Sequence, residues 1–346
     1  MRSAAVLAAL VALSPPAAAS AALVPTGAGI STPGGFRTDV VASVVRPTAL
    51  AQDPAGRIWI TSADGSDQPT GRVLLLPKFG GVPQPVISRL RTPLGLTWFR
   101  GELYVSSTGR VDAFSGLAAG SFKRHRMVIA GLPVGRHQND AIVPGPDGRL
   151  YLGLGSPCDA CVPKRSRSAT VLSFLPSGND IRIVARGLRN PYGLAFVPGH
   201  TDLLVTDEGR DDLGLNQPPE ELNLLSLGAA SPDFGYPACW GQGGTPCRGK
   251  TAALTRLPAH SAAGAVAVIA DRFGPLGGTS AFVAEYGSSF RPPTGREVVR
   301  IPLRDSSLAV PFARGFANPL AVFTTGAGEL LVGDFTRGRI YRIRPR

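Results

Sequence analysis

The chain has 346 residues, with 36 Lys and Arg against 24 Asp and Glu, for a formal charge of +12. Hydrophobic residues make up 43%, too many for a disordered chain and enough for a large core. Gly (43) and Pro (32) recur throughout without a three-residue period, which excludes collagen, leaves little room for long helices and points to an all-β protein. The basic residues, mostly Arg, are scattered singly rather than in runs. That reads as a solvated surface and not as a nucleic-acid or membrane-binding stripe.

In chain order, residues 1–22 carry the pattern of a secretory signal. Arg2 supplies the charge, Ala4 to Leu13 the apolar stretch, and Ala17, Ala18, Ala19, Ser20, Ala21 and Ala22 the small residues of a cleavage region. No twin Arg is present, so the Sec route is expected. No later segment reaches 18 apolar residues, and the expectation is a periplasmic or secreted protein with no transmembrane segment after signal removal. Residues 23–34 are predicted as a short linker and 35–346 as a single domain.

From Arg46 onward one pattern recurs: a Pro- or Gly-containing turn, alternating apolar residues, a second turn, then an apolar strand. It starts at Arg46, Thr92, His137 and Asn190, returns in degenerate form from Ser261 to Gly287, and closes from Asn318. Third strands follow most copies (GRVLLLP, ATVLSFLP, ELNLLSLG, REVVRIPL, GRIYRIRP). Fourth strands often precede the next copy (VISRL, RMVIAGL, IRIVARGL, VPFARGF). Four strands per unit in six units predict a six-bladed β-propeller. The chain stops after the third strand of the last unit. FRTDVVASVV, from Phe36 to Val45, is the unpartnered strand that would complete blade six and close the ring. A pair of β-sandwiches is the rival architecture, and it does not explain six copies in register.

In a propeller the loops leading into the innermost strands gather at one mouth of the central channel. Here they carry Arg46-Pro47, Arg91-Thr92-Pro93, Arg136-His137-Gln138, Arg189-Asn190-Pro191, His260-Ser261 and Asn318-Pro319. The second-to-third strand loops open on the same face with Asp64 and Asp67, Cys158 to Arg167, Asp207 to Glu220, and Glu285 to Arg296. His137 can act as a general base, and Arg189 can bind a carboxylate or stabilise developing negative charge. Asp207, Glu208, Asp211, Asp212, Glu220 and Glu221 are either a solvated acidic loop or a Ca²⁺ site, although their spacing is not that of an EF-hand. The cysteines form two close pairs, Cys158 with Cys161 and Cys239 with Cys247. Two local disulfides are the plain reading, with structural zinc or redox-active thiols as alternatives. No G-x-G-x-x-G follows a strand and opens a helix, which argues against a nicotinamide cofactor.

At these residues the chain resembles the glucose/sorbosone dehydrogenase family, soluble six-bladed propellers that use pyrroloquinoline quinone (PQQ) and calcium, and it is closer to the sorbosone dehydrogenase-like branch than to soluble glucose dehydrogenase. The resemblance runs from about Gly35 to Arg344. GRHQNDAIVPGPDGRLYLGLGSPCDAC is similar to the segment with the catalytic histidine, which implies that role for His137. GLRNPYGLAF implies quinone contacts for Arg189 and Asn190. TDEGRDDLGLNQPPEELNLL followed by DFGYP resembles the quinone- and calcium-binding segment: Glu208 stands where glucose dehydrogenase has Gln, the backbone carbonyls of Gly209 and Arg210 where calcium is held, and Glu220 near a cofactor-contacting Asp. PAHSAAGAVAV, FVAEYGSSFRPPTGREVVRIPL and RGFANPLAVFTTGAGELLVGDFTRGRIYRI resemble blades five and six of that branch.

The chain departs from the family in three places. Arg210 replaces Pro. Ser289-Phe290-Arg291 replaces Trp-Asn-Arg. The cationic contacts of the last two blades have no clean counterpart near Asn318, leaving Arg291, Arg296 or Arg337 to supply them. The resemblance implies oxidation of a sugar hydroxyl or aldehyde hydrate by hydride transfer to the quinone, with electrons passing to a periplasmic acceptor. Two other classes compete: a non-catalytic exported propeller that binds a glycan or protein on the same face, and a metal-dependent hydrolase or lactonase. The hydrolase needs carboxylates converging on an axial metal, whereas the lead-in loops offer mainly Arg, His and Asn.

Overall fold

A computed structural model describes residues 21–66, 68–288, 290, 292–306 and 308–346. The stretch read as a signal lies almost wholly outside the described residues, as do Asp67, Ser289 and Arg291. The strands form six antiparallel four-stranded blades, as the repeat predicts. From axis to rim, blade one is Pro47–Gln52, Ile58–Ser62, Gly71–Leu76 and Gln84–Leu90; blade two is Gly95–Phe99, Glu102–Ser107, Arg110–Ala118 and Ser121–Ile129. Blade three is Asn139–Pro144, Leu150–Leu154, Thr170–Phe174 and Arg182–Arg186; blade four is Leu194–Phe196, Asp202–Asp207, Glu220–Ser226 and Thr255–Leu257. Blade five is Ala263–Ile269, Ser280–Glu285, Glu297–Pro302 and Val310–Arg314. Blade six is Pro319–Thr324, Leu330–Asp334 and Arg339–Pro345, completed by Phe36–Ser43 from the start of the chain. Neighbouring innermost strands touch around the whole ring, the last against the first.

The core lies between the blades. Second strands are the most apolar and the most deeply buried, because both of their faces meet a neighbouring blade. Each blade-to-blade junction has its own apolar cluster. Trp59 and Val73 of blade one pack on Leu103 and Val105 of blade two, and Ile58 and Ile60 pack on Leu331 and Ile340 of blade six. The tight turns have a common chemistry. Asp53 accepts hydrogen bonds from the Ala55 and Arg57 amides and from Trp59 Nε1; Asp147 accepts from the Arg149 amide and the Tyr151 hydroxyl. A turn aspartate that ties down the aromatic of the next strand explains the D-P-A-G and P-D-G runs.

Three features differ from the sequence expectation. Residues predicted as a linker contain a hairpin, Leu23–Gly27 with Ile30–Pro33, which adds to the rim of blade five through Ser31 and Arg314. The fourth strand of blade four is only Thr255–Leu257, after a long excursion that holds the Cys239–Cys247 pair; three residues are too few to show alternation. Blade five carries an extra two-stranded ribbon, Arg272–Phe273 with Leu276–Gly277, inside what reads as its first turn. The cysteine alternatives also resolve. Cys158 pairs with Cys161 and Cys239 with Cys247, and no cysteine among the described residues is free for zinc or thiol chemistry. Among the described residues no helix is long and apolar enough to cross a membrane.

Candidate active site at the channel mouth

The lead-in loops of blades three and four are stitched together by backbone. The Ser156 amide donates to the Arg189 carbonyl (2.7 Å), and the Ser156 carbonyl accepts from the His137 amide (3.0 Å). Asp207, the last residue of its strand, accepts from the Arg189 and Asn190 amides at 3.0 and 2.6 Å. Asp334 does the same for the Ala317 and Asn318 amides in blade six. In blades four and six the end of the second strand therefore fixes the loop that feeds the blade's own inner strand. Gln138 and Asn139 are turned toward blade two: Gln138 Nε2 donates to the Thr92 carbonyl, and Asn139 is bound on both sides of its amide. His137 is left facing the cavity.

That cavity, of about 440 Å³, is lined by Arg136, His137, Arg189, Glu208, Gly209, Asp211, Glu220, His260 and neighbours. A second hollow of about 280 Å³ over the channel axis shares Glu208 and adds Asn190, Tyr192, Tyr286 and Phe335. The structure thus brings Arg136, His137, Arg189, Glu208, Asp211, Glu220 and His260, all singled out from sequence, together in one wall and sets Asn190 in the adjoining one. Gly209 shares the wall with them, but Arg210 does not: its guanidinium turns outward to Asp212 and the Pro237 carbonyl and lies over Trp240. Only its backbone can serve the site. Glu220 accepts from the Gly209 amide at 2.8 Å and so anchors the loop. Among the described residues no group of three or more His, Cys, Asp or Glu side chains is arranged to hold a metal.

The electrostatics are uneven. His137 is half-buried, and its Nε2 has no hydrogen-bond partner among the described residues. Burial, then Arg189 and Arg136, push its pKa down to about 3, so the imidazole is neutral at physiological pH. Arg189 is 3% exposed, donates to Asp159 and to Asp211, and lies 3.9 Å from the Glu208 carboxylate. Asn190 Nδ2 donates to Glu208 at 2.8 Å, while its buried Oδ1 has no partner among the described residues. Burial pushes the Glu208 and Glu220 carboxyls up, and for Glu220 the nearby Glu208 adds to it.

Two site residues, Asp140 and Asp159, carried no distinct signal in the sequence. Asp140 is buried, one of its oxygens has no partner among the described residues, and burial with Glu208 nearby pushes its carboxyl well up. Asp159 is only one member of a cysteine loop until the fold sets it on Arg189. His260, which the sequence places in a lead-in loop, donates from Nε2 to the Gly214 carbonyl (2.7 Å) and packs against Phe290, at the cavity wall. The polar run H-Q-N-D just before an apolar strand was the one available hint of Asp140.

Comparison with known proteins finds the same six-bladed propeller fold in solved structures, several of them of sugar dehydrogenases. The holo PQQ domain of pyranose dehydrogenase from Coprinopsis cinerea superposes with a TM-score of 0.73 at 18% identity, over 92% of this chain and 98% of that one. The PQQ-bound aldose sugar dehydrogenase of Streptomyces coelicolor gives 0.69 at 20% identity, over 91% and 100%. A calcium structure of the Trichoderma reesei carbohydrate-active enzyme family AA12 protein gives 0.74 at 16%, over 95% and 98%. In sequence, an uncharacterized protein of Borreliella burgdorferi is 24% identical over 352 residues, covering 91% of this chain and 90% of that protein. No protein-family model matches the chain. At these identities the likeness is one of fold, and it agrees with the resemblance drawn from the motifs.

Proposed function

We propose that the chain is a PQQ-dependent oxidoreductase acting on the hydroxyl of a sugar, alcohol or aldehyde hydrate. The observation that carries this reading is His137: a neutral imidazole whose buried Nε2 has no partner among the described residues, in the wall of a cavity it shares with Arg189 and Glu208. The PQQ-containing structures of the same fold support it.

The residues present fit such a group. Two buried polar atoms, His137 Nε2 and Asn190 Oδ1, lack partners among the described residues. Glu208, Glu220 and Asp211 line the cavity beside Arg189, a lining that suits an anionic ligand brought in with a divalent cation better than the anion alone. His137, Arg189, Asn190 and Glu208 would hold the quinone, with Glu220 bracing the loop; the Gly209 and Arg210 carbonyls would serve Ca²⁺. When bound, the quinone supplies the two-electron acceptor that no side chain offers. His137 takes the proton of the substrate hydroxyl at Nε2. The burial and the two guanidinium groups that keep the imidazole neutral are opposed by any negative charge in the cavity, so His137 is a stronger base in the loaded site than in the free one. Arg189 is held in place before substrate arrives, so its charge costs no reorganisation during reaction. Export through a Sec signal and delivery of electrons to a periplasmic acceptor complete the proposal.

One observation favours a second reading, a propeller that binds a glycan or protein without catalysis: Arg189 is already paired with two carboxylates. Titration of the purified mature protein with PQQ in roughly millimolar Ca²⁺ separates the two. Absorbance reports binding, and a dye-reduction screen over aldoses reports turnover. Saturable binding with sugar-dependent bleaching supports the dehydrogenase. Absence of binding at high micromolar quinone moves the binding propeller to first place.

A further inference from the structure

We infer that Asp159, set in place by the Cys158–Cys161 disulfide, is a positioning residue that clamps the Arg189 guanidinium against the cavity wall. Arg189 Nη2 donates to Asp159 Oδ1 at 2.7 Å, and Nε donates to the same oxygen and to the Asp159 carbonyl at 3.2 and 3.3 Å. The Asp211 amide donates to that oxygen too (3.1 Å), so one carboxylate joins the loops of blades three and four. Burial opposes ionisation of Asp159, yet the Arg189 and Asp211 hydrogen bonds hold its carboxyl below the usual range.

Asp159 comes from a connection, 155–169, with no strand of its own. What gives it a fixed position is the disulfide on either side. The loop is tied back further: the Tyr236 hydroxyl donates to the Cys158 carbonyl (3.0 Å), and the Cys158 amide donates to Ser156 Oγ (3.3 Å), on the residue whose backbone joins His137 to Arg189. A cross-link only three residues apart constrains the unfolded chain least of all, so its main effect is local: it orders Asp159 instead of stabilising the propeller. Cys161 is exposed, so reductants reach the bond. The consequence for a bound quinone rests on the function proposed above; the clamp itself does not.

The test reads the Arg189 Nε–H directly by ¹H–¹⁵N spectroscopy, with Arg189→Lys assigning the resonance. Three samples are compared with the wild type: Asp159→Ala, the double variant Cys158→Ser/Cys161→Ser, and folded wild-type protein treated with a phosphine reductant, which guards against a variant that fails to fold. The expected result is a shifted resonance exchanging at least tenfold faster in all three, with a nearly unchanged melting temperature. An unmoved resonance in Asp159→Ala overturns the clamp; an unmoved resonance in the reduced and double-Ser proteins overturns the role of the disulfide. In PQQ titrations, Asp159→Asn is expected to weaken binding tenfold or more, and equal affinity overturns the link to the cofactor. Should wild type itself bind no PQQ, the proposed function falls, and the clamp is decided by the Arg189 resonance alone.

Discussion

Gly155 lies directly against His137: a Cβ added to Gly155 would come within 2.3 Å of the His137 Cβ and 3.1 Å of Asn190 Oδ1. Both neighbours are backbone-anchored, so neither can give way cheaply. Gly155→Ala is therefore expected to displace His137 and cut turnover by about 10²-fold or more, since a misplaced base forfeits most of what a positioned one supplies. A Gly155→Ala protein that melts normally yet oxidises sugars at the wild-type rate would remove His137 from the chemistry.

His137→Ala leaves the propeller intact, because the residue faces a cavity and not an inter-blade core. Quinone-dependent oxidation is expected to fall by about 10²–10⁴-fold. Dye-linked assays with added PQQ and Ca²⁺, alongside thermal melts, check both halves of that statement.

The same histidine sets an acid limb of stability. Its folded pKa of about 3 lies below the ordinary 6.5, so between those values the unfolded chain binds the extra proton. Stability attributable to His137 is whole above pH 6.5 and is lost as pH falls toward 3. Denaturant melts from pH 4 to 7 should show a shallower pH slope in His137→Gln than in wild type.

Glu285 behaves in the opposite sense. It is fully buried at the end of a blade-five strand, neither oxygen has a hydrogen-bond partner among the described residues, and burial with Glu297 nearby pushes its pKa up to about 8. The folded state holds a proton that the unfolded chain has released, so this stability is full below pH 4.5 and is lost as pH rises through 8. Glu285→Gln should recover on the order of a few kcal/mol at pH 9 and little at pH 5. Identical alkaline melts for the two proteins would show that Glu285 does not carry the effect.

Closure of the ring depends on Phe36. It is fully buried against Phe273 and Phe312, with centroids 4.8 and 5.4 Å away, while its strand pairs with Arg339–Pro345. Phe36→Ala should cost about 3–5 kcal/mol, read as a lowered denaturation midpoint. A loss under about 1 kcal/mol would place the closing energy elsewhere in the strand.

The propeller was legible in the chain because its signals are local and repeated. Turn aspartates, Gly and Pro punctuate short apolar strands at a regular interval, and the unpartnered Phe36 strand reads as the missing member of blade six. Cysteine spacing pointed to local pairing for the same reason. Elements without such local pattern escaped: the hairpin at residues 23–33, whose partner is the rim of a distant blade, and the three-residue strand Thr255–Leu257. At the site, loop position together with the family resemblance marked His137, Arg189, Asn190, Glu208 and Glu220. What those residues are bonded to, and hence how they are charged, was decided only by the fold. Asp159 and Asp211 come from separate loops and Asp140 from the inner strand of blade three, and the hydrogen bonds shared at Arg189 and the burial of Asp140 arise only when the blades come together. Charge in a protein depends on surroundings that are distant in sequence, and sequence order records only the neighbours along the chain.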